Sequence, residues 1–376
     1  MIRNAHTAPR VLIAGYYGKG NFGDDVLLTV THGVVRRAMP DAEISVMVHG
    51  DMGAYVAAML PDVHVIKPSR HGHFDVIVHG GGGVFFDFAQ HGWRTRWIEH
   101  ALRIFGFRNF LRAERLLRCM LGKPRISATH RMGLGIGVGG FSPGSPRLRH
   151  SLSILADFAA LWVRDAASVT QLARFQSVLR AEVILGSDLA FLTEHWLPAS
   201  PELKPVSARQ RLGVVLRDWP AEYGGWDVEI ISPVLAQLAQ SYDITGFVFD
   251  ARTDPNTTRL LAPYPTHIWH PETMKLQQFS LLLGTQDVLL TSRAHGAICG
   301  ACLGVPSVIV ALEPKLEQVH AMLPNATRIV DKNMPQHWEK MLQEACSIPR
   351  EVVQRDVQQN CAVSVAALAS VMEAIT

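Results

Sequence analysis

The chain has 376 residues, 48% of them hydrophobic and 18% charged. That is the balance of an ordinary soluble globular protein with room for about two domains, and it excludes a disordered chain, a coiled coil and a collagen-like fibre. Lysine and arginine total 36 against 33 acidic residues, so no basic excess marks a dedicated nucleic-acid binder.

The opening MIRNAHTAPRVLIAGYYG holds no apolar run long enough for a signal peptide before a glycine-rich turn. Arg10 to Gly15 reads as a buried strand. Asp24 to Met39 reads as a helix, with Val26, Leu27, Val30, Val34 and Val35 near a 3.6 period. Strands follow at Glu43 to Val48, Val63 to Ile66 and Phe74 to Val78, with a helix at Asp51 to Leu60. The strand at Phe74 runs into the loop HGGGG, and a long helical region spans about Trp93 to Leu121. Further strands are expected at Met132 to Val138, Leu161 to Val163 and Glu182 to Leu185.

Trp196 to Arg211 (WLPASPELKPVSARQR) breaks the pattern with three prolines and little periodicity. It reads as a linker between an N-terminal domain, residues 1–195, and a C-terminal domain, residues 212–376. Strands restart at Leu212 to Leu216, Ile244 to Phe249, His267 to Trp269, Asp287 to Thr291 and Ser307 to Val310, with helices between them and a last helix over Arg350 to Thr376. Strands alternating with helices imply parallel sheets with right-handed crossovers. The fold class is therefore α/β, with two open units and a cleft between their strand C-termini.

Three motifs carry candidate chemistry. GYYGKGNFGDD, Gly15 to Asp25, joins a strand to a helix N-terminus, whose free N–H groups suit an anion or polar ligand. Gly18, Asn21, Gly23, Asp24 and Asp25 are its candidate ligand residues. The alternative is a plain tight turn capped by Asp24. The spacing matches neither the dinucleotide fingerprint nor a P-loop. HGGGGVFFD, His79 to Asp87, places Gly81 and Gly82 where a ligand or another backbone can come close. His79 reads equally as a substrate contact or as a buried histidine.

TSRAHGAICGACLGVPSVIV, Thr291 to Val310, reads as a strand end, a helix and a further strand. Ser292 is the expected N-cap. Arg293 and His295 at the helix start form a plausible phosphate site with a proton donor beside it. Arg217 ends the first strand of the second half, in RLGVVLRDW, and Asp188 ends a strand in LGSDLAFL. Taken singly, each reads more readily as a solvated charge or a salt bridge.

Together these residues resemble the polysaccharide pyruvyl transferase family. GYYGKGNFGDDVLL is similar to that family's GYYG-x-x-N-x-GD-[DE] opening. The glycine run, S-D-x-A-F-L, the VVLRDW strand end and the S-R-x-H-G…G-V-P block recur in the same order, over about Arg10 to Val330. Asp25 stands where many members carry Glu, and Ala294 where Leu is frequent; neither change removes a reactive group. The resemblance implies two Rossmann-like domains arranged like a GT-B glycosyltransferase, the N-terminal one on the acceptor side and the C-terminal one on the donor side. It implies transfer of a pyruvyl group from phosphoenolpyruvate to a sugar of a cell-surface polysaccharide or its lipid-linked precursor, as a ketal, with release of phosphate. No cofactor or metal is required.

In that setting Arg217, Arg293 and Ser292 would hold phosphoenolpyruvate, since arginine grips phosphate and carboxylate in bidentate fashion. His295 would move the proton, as acid or base; an imidazole ordinarily titrates near ~6.5. Gly18, Asn21, Gly23, Asp24, Asp25, Gly81, Gly82 and Asp188 would serve the loops and the acceptor. Two competing readings share the fold: a glycosyltransferase using a nucleotide sugar, and a catalytically inactive scaffold in glycan assembly. The short arginine-based anion site fits phosphoenolpyruvate better than a nucleotide sugar.

Residues 94–125 hold nine basic side chains against Glu99 and Glu114, interleaved with leucines and phenylalanines. Such a segment can rest on an anionic membrane surface, and the alternative is a helix packed on its own domain. The expected location is cytoplasmic, with peripheral contact at the inner face of the membrane. The five cysteines, Cys119, Cys299, Cys302, Cys346 and Cys361, exclude a small disulfide scaffold, and Cys299 and Cys302 are expected to pack against a sheet. His71, His73 and His79 have no acidic partner fixed by spacing that would make a metal site.

Overall fold

Short apolar runs set the architecture. RVLIA forms β1 (Arg10–Ala14), with all but its first residue buried. VLLT forms β12 (Val288–Thr291), buried throughout. Strands apolar on both faces belong in the middle of parallel sheets covered on both sides, and both of these sit there. The computed structural model describes residues 8–49, 53–68, 72–86, 126–141, 146–198, 208–220, 225–226 and 228–374. The expected helix over Trp93 to Leu121, the basic stretch 94–125, Cys119, His71 and Asp87 lie outside them, as do residues 199–207 of the expected linker.

The chain divides into two units. The first draws on residues up to Lys19, Thr31–Leu189 and the stretch from Ser364 onward; the second on Gly20–Val30 and Ala190–Val363. Helix α1 (Phe22–Ala38) is therefore divided between them at residues 30 and 31.

In the first unit, β1 is followed by β2 (Glu43–Met47), α2 (Ala54–Met59), β3 (Val63–Ile66), β4 (Gly72–His79), β5 (Gly82–Phe86) and β6 (Ile126–Gly139). Then come α3 (Pro146–Leu155), β7 (Ala160–Val163), α4 (Ala166–Ala173) and β8 (Val183–Leu185). The sheet order is β3-β2-β1-β4-β6-β7-β8, with β5 pairing β6, and every described pair is parallel. One core packs Phe85, Ile136, Phe158, Leu161 and Leu172; another packs Leu12, Ala14, Phe74 and Ile77.

Most expected strands appear within a residue or two of their expected ends. The glycine run does not stay a loop: only Gly80 and Gly81 separate β4 from β5, because β6 is long enough to pair β4 with its first half and β5 with its second.

The second unit holds β9 (Gln210–Val215), α5 (Ser232–Ser241), β10 (Tyr242–Val248), α6 (Pro255–Leu261) and β11 (Thr266–Ile268). It continues through α7 (Leu276–Gly284), β12, α8 (Ala294–Cys302), β13 (Ser307–Ala311), α9 (Pro314–Met322), β14 (Thr327–Asp331), α10 (Trp338–Cys346) and the part of α11 (Arg350–Glu373) that precedes Ser364. Its sheet runs β11-β10-β9-β12-β13-β14, all parallel. Numbered from β9, this is the 3-2-1-4-5-6 order of the doubly wound dinucleotide-type fold. Helix α8 lies close on β12, since a Cβ on Gly300 would strike the Leu289 side chain. The apolar stretch Gly296 to Leu312 is thus helix and then strand. Cys299 is buried, and Cys302 is half-buried with its thiol on the Ala190 carbonyl. Among the described residues no helix is long and apolar enough to cross a membrane.

Candidate active site

The strand order of the second unit reverses between β9 and β12. Ligands of open α/β sheets bind outside the strand carboxyl ends at such a switch point. β9 ends two residues before Arg217, and β12 ends just before Ser292 and Arg293. Ser292 N–H donates to the Val215 carbonyl at 3.0 Å, and Arg217 N–H donates to Ser292 Oγ at 2.9 Å. Ser292 therefore ties the two strand ends together. It is not the helix cap expected from the sequence: Arg293 occupies the N-cap of α8, and its N–H donates to Thr291 Oγ1. The β-like backbone of Arg293 puts the start of the helix one residue later than a Ser292 cap would.

The two arginines come together here, and each already has a partner. Arg293 is 92% buried; its guanidinium bonds the Asp254 carboxylate, and its Nε donates to the Leu216 carbonyl. Asp254 is fully buried and also accepts the Asp218 N–H. Asp218 in turn accepts the Asn256 and Thr257 N–H groups at 2.7 and 2.8 Å, fixing the start of α6. Arg217 is more open. Its Nη1 donates to Glu313 Oε1 at 3.0 Å, and its guanidinium lies 4.2 Å from the centre of the Trp219 ring. Lys315 Nζ lies 2.6 Å from the same Glu313 oxygen. Burial lowers the Arg217 pKa and Glu313 raises it back in part; the two arginines also repel each other.

Residues 20–30 complete the site within this unit. Asn21 Oδ1 accepts the Gly23 N–H at 3.0 Å, so Asn21 caps α1; Asp24 does not. The helix starts two residues before the expected Asp24. Phe22 is fully buried among Phe249, Trp269 and Phe279, at centroid distances of 4.9, 5.4 and 4.7 Å. Its N–H donates to the Phe249 carbonyl at 3.0 Å. Asp25 is 99% buried and accepts the Trp269 indole N–H at 2.8 Å, which makes it an anchor for the helix.

Asp24, one residue earlier, is half-buried and faces the charges of His295, Arg293 and Lys315. Burial pushes its carboxyl pKa up, and those three neighbours pull against the rise. Gly23 lies against the imidazole: a Cβ there would overlap His295 Nδ1 and Cγ. The switch point thus gathers Arg217, Arg293, His295 and Lys315 around Asp24, Glu313 and Asp254. Among the described residues no group of His, Cys, Asp and Glu is placed to hold a metal ion.

The remaining expected site residues belong to the first unit. Gly18 has φ +79°, a backbone only glycine adopts freely, and lies against Val48. Gly81 lies in the short β4–β5 connection, and Gly82 is the first residue of β5. His79 is 93% buried, stacked on Phe158 at 5.0 Å, and burial lowers its pKa to about 3. It is a core histidine. Asp188 is fully buried and accepts from Arg164 Nη1 at 3.2 Å, the salt bridge that was one of its two expected readings. His73 bonds Ser127 Oγ. The sequence reading did not single out Asp254, Glu313, Lys315 or Trp219. One signal was available, since EPK directly follows the apolar run SVIVAL and so stands just past a strand's carboxyl end.

Solved structures similar to this chain share its fold. UDP-GlcNAc 2-epimerase from Neisseria meningitidis bound to UDP-GlcNAc has a TM-score of 0.52 at 8% identity, with 96% of this chain and 99% of that one covered. The S. aureus MnaA–UDP co-structure has a TM-score of 0.51 at 9% identity, with 93% and 94% covered. The glycosyltransferase SnogD from Streptomyces nogalater has a TM-score of 0.48 at 15% identity, with 98% and 100% covered. The class is α/β with two Rossmann-like domains, each built on a parallel sheet, the fold it shares with the UDP-GlcNAc 2-epimerase structure. No curated protein matches the chain. Residues 21–314 match the polysaccharide pyruvyl transferase family. The chain belongs to that family, whose general activity is pyruvyl transfer to polysaccharide.

Proposed function

We propose that this protein transfers the pyruvyl group of phosphoenolpyruvate to two hydroxyls of one sugar, forming a ketal and releasing phosphate. The acceptor is a cell-surface polysaccharide or its lipid-linked precursor, met in the cytoplasm or at the inner membrane face. One observation carries the reading: three cations, Arg217, Arg293 and Lys315, meet a histidine and a raised carboxyl at the switch point of the second unit. A small, dense cationic site suits a donor that carries a phosphate and a carboxylate on one carbon.

The chemistry then runs on the chain's own side chains. His295 gives a proton to the methylene carbon of the enol, and the adjacent carbon becomes electrophilic. A sugar hydroxyl adds there, and its proton passes to a base. Asp24 suits that task, because burial makes it a stronger base than a free carboxylate. Phosphate then leaves with the C–O bonding pair, and the second hydroxyl closes the ketal while its proton goes to the departing phosphate. Arg217 and Lys315 balance the negative charge on the leaving oxygens.

The test is incubation of the protein with phosphoenolpyruvate and an oligosaccharide acceptor. Phosphate release and the acidic ketal product, seen by mass spectrometry, are the readouts. Arg217→Ala and His295→Ala should each lower turnover by at least about 100-fold. Activity lost in Arg217→Ala but kept in His295→Ala would sink the proton-transfer role and leave the anion site standing. A thermal-stability gain with a nucleotide sugar and none with phosphoenolpyruvate would overturn the proposal in favour of glycosyl transfer.

A further inference from the structure

The cations of the donor site are not held alike. Arg293 is locked: its partner Asp254 has no exposed surface and carries a second hydrogen bond from the Asp218 N–H. Arg217 and Lys315 share a different carboxylate, that of Glu313. Their side chains are 25% and 20% exposed, so solvent reaches both. Glu313 itself is 7% exposed and lies at the N-cap of α9, in extended backbone just after β13. One atom, Oε1, takes both contacts, at 3.0 Å from Arg217 and 2.6 Å from Lys315. Glu313 makes no side-chain cap bond to its own helix. Its charge is therefore directed at the site.

We infer that Glu313 is the resident counter-anion of the donor site, standing where an oxygen of the incoming phosphate or carboxylate will stand. Binding is an exchange: one oxygen of the donor replaces one oxygen of Glu313 between Arg217 and Lys315. Trp219, whose ring lies under the Arg217 guanidinium, keeps that group in place during the exchange. The inference rests on the donor-site reading above and adds a function to it. After the C–O bond to phosphate has broken, the returning carboxylate competes with product phosphate for the same two cations. Glu313 therefore sets the affinity for the donor and the ease of phosphate release, and it does not touch the reacting carbon. A purely structural ion pair would have the opposite signature, because loss of its charge would disorder Arg217 and weaken every anion.

The experiment measures the affinity of wild-type protein, Glu313→Gln and Glu313→Asp for inorganic phosphate and for phosphoenolpyruvate by titration calorimetry. The thermal midpoint of each unliganded protein is recorded alongside. Removing one negative charge beside two cations should tighten both anions about tenfold in Glu313→Gln. Turnover should fall, and phosphate should become a stronger product inhibitor. Glu313→Asp keeps the charge one methylene further back and should give a gain of about two- to threefold; it carries the test if Glu313→Gln does not fold. Folded variants that bind phosphate no tighter than wild type, or more weakly, overturn the inference and leave the donor site intact. Wild-type protein that binds neither anion overturns the donor-site reading and the inference with it.

Discussion

His79 shows how one residue can look like chemistry and serve packing. It ends β4 ahead of two glycines, where a substrate contact was one of two expectations. The imidazole is instead 93% buried and stacked on Phe158, with Phe85 near by, and its Nε2 has no hydrogen-bond partner among the described residues. Burial holds its pKa at about 3, with Arg131 adding to the effect. The folded chain therefore refuses a proton that the unfolded chain accepts below ~6.5. Unfolded protein binds more protons between about pH 6.5 and 3, so stability is lost as pH falls through that window. The loss reaches about 4 kcal/mol at its lower end. His79→Phe keeps the stacking and removes the titration. Its urea midpoint should match wild type at pH 7.5 and exceed it increasingly below pH 6. Parallel pH profiles for the two proteins would show that the imidazole is protonated in the fold. At this scale the sequence showed Arg217, Arg293 and His295, because each follows a legible strand end or helix start. It did not show Glu313 or Asp254, because an acidic residue before a proline carries no mark of the cation it will meet.

Elements were easier to read than partners. Strands such as β1, β3 and β12 are short, apolar and bounded by turn residues, so composition alone places them. β5 was hidden by its glycines, and its pairing comes only from the unusual length of β6. β14, TRIVD, mixes charge with apolar residues because it lies at the sheet edge, and it went unread. The start of α1 matters most for function. Asn21 caps it, and Gly23 brings its first turn against His295. The backbone of Gly23 is helical, so the glycine is there for closeness; a positive φ plays no part. Gly23→Ala would drive a methyl into the imidazole, including the His295 Cβ, which cannot swing away. Overpacking of this kind costs about 1–3 kcal/mol. A displaced imidazole should also lower the turnover of pyruvyl transfer by about tenfold or more. Steady-state rates read beside thermal midpoints separate the two effects. An unchanged rate in a folded Gly23→Ala protein would remove His295 from the reaction.

For the whole molecule, chain order is a poor guide to which residues fold together. The proline-rich stretch Trp196 to Arg211 suggests a division in sequence. The second unit nevertheless includes Gly20–Val30, more than 150 residues earlier in the chain. The reason is physical. Phe22 and Asp25 complete a cluster whose other members, Phe249, Trp269 and Phe279, come from the second half. Residues 190–363 expressed alone lack both. Trp269 then keeps a buried indole N–H with no Asp25 to accept it, and the aromatic cluster has a hole the size of a phenylalanine. Losing a buried Phe costs about 3–5 kcal/mol, and an unmet buried donor about 1–3 more. These are large fractions of the stability of a domain. The isolated segment should therefore melt well below the full chain by circular dichroism and bind a hydrophobic dye. A peptide of residues 20–30 should raise its midpoint, and the same peptide with Phe22→Ala should not. The full-length Phe22→Ala protein should lose stability comparably, which guards against a defect peculiar to the fragment. A fragment as stable as the intact chain would mean that Gly20–Val30 rests on this unit without holding it together. Asp24 would then owe its place beside His295 to the rest of α1, and not to the Phe22 anchor.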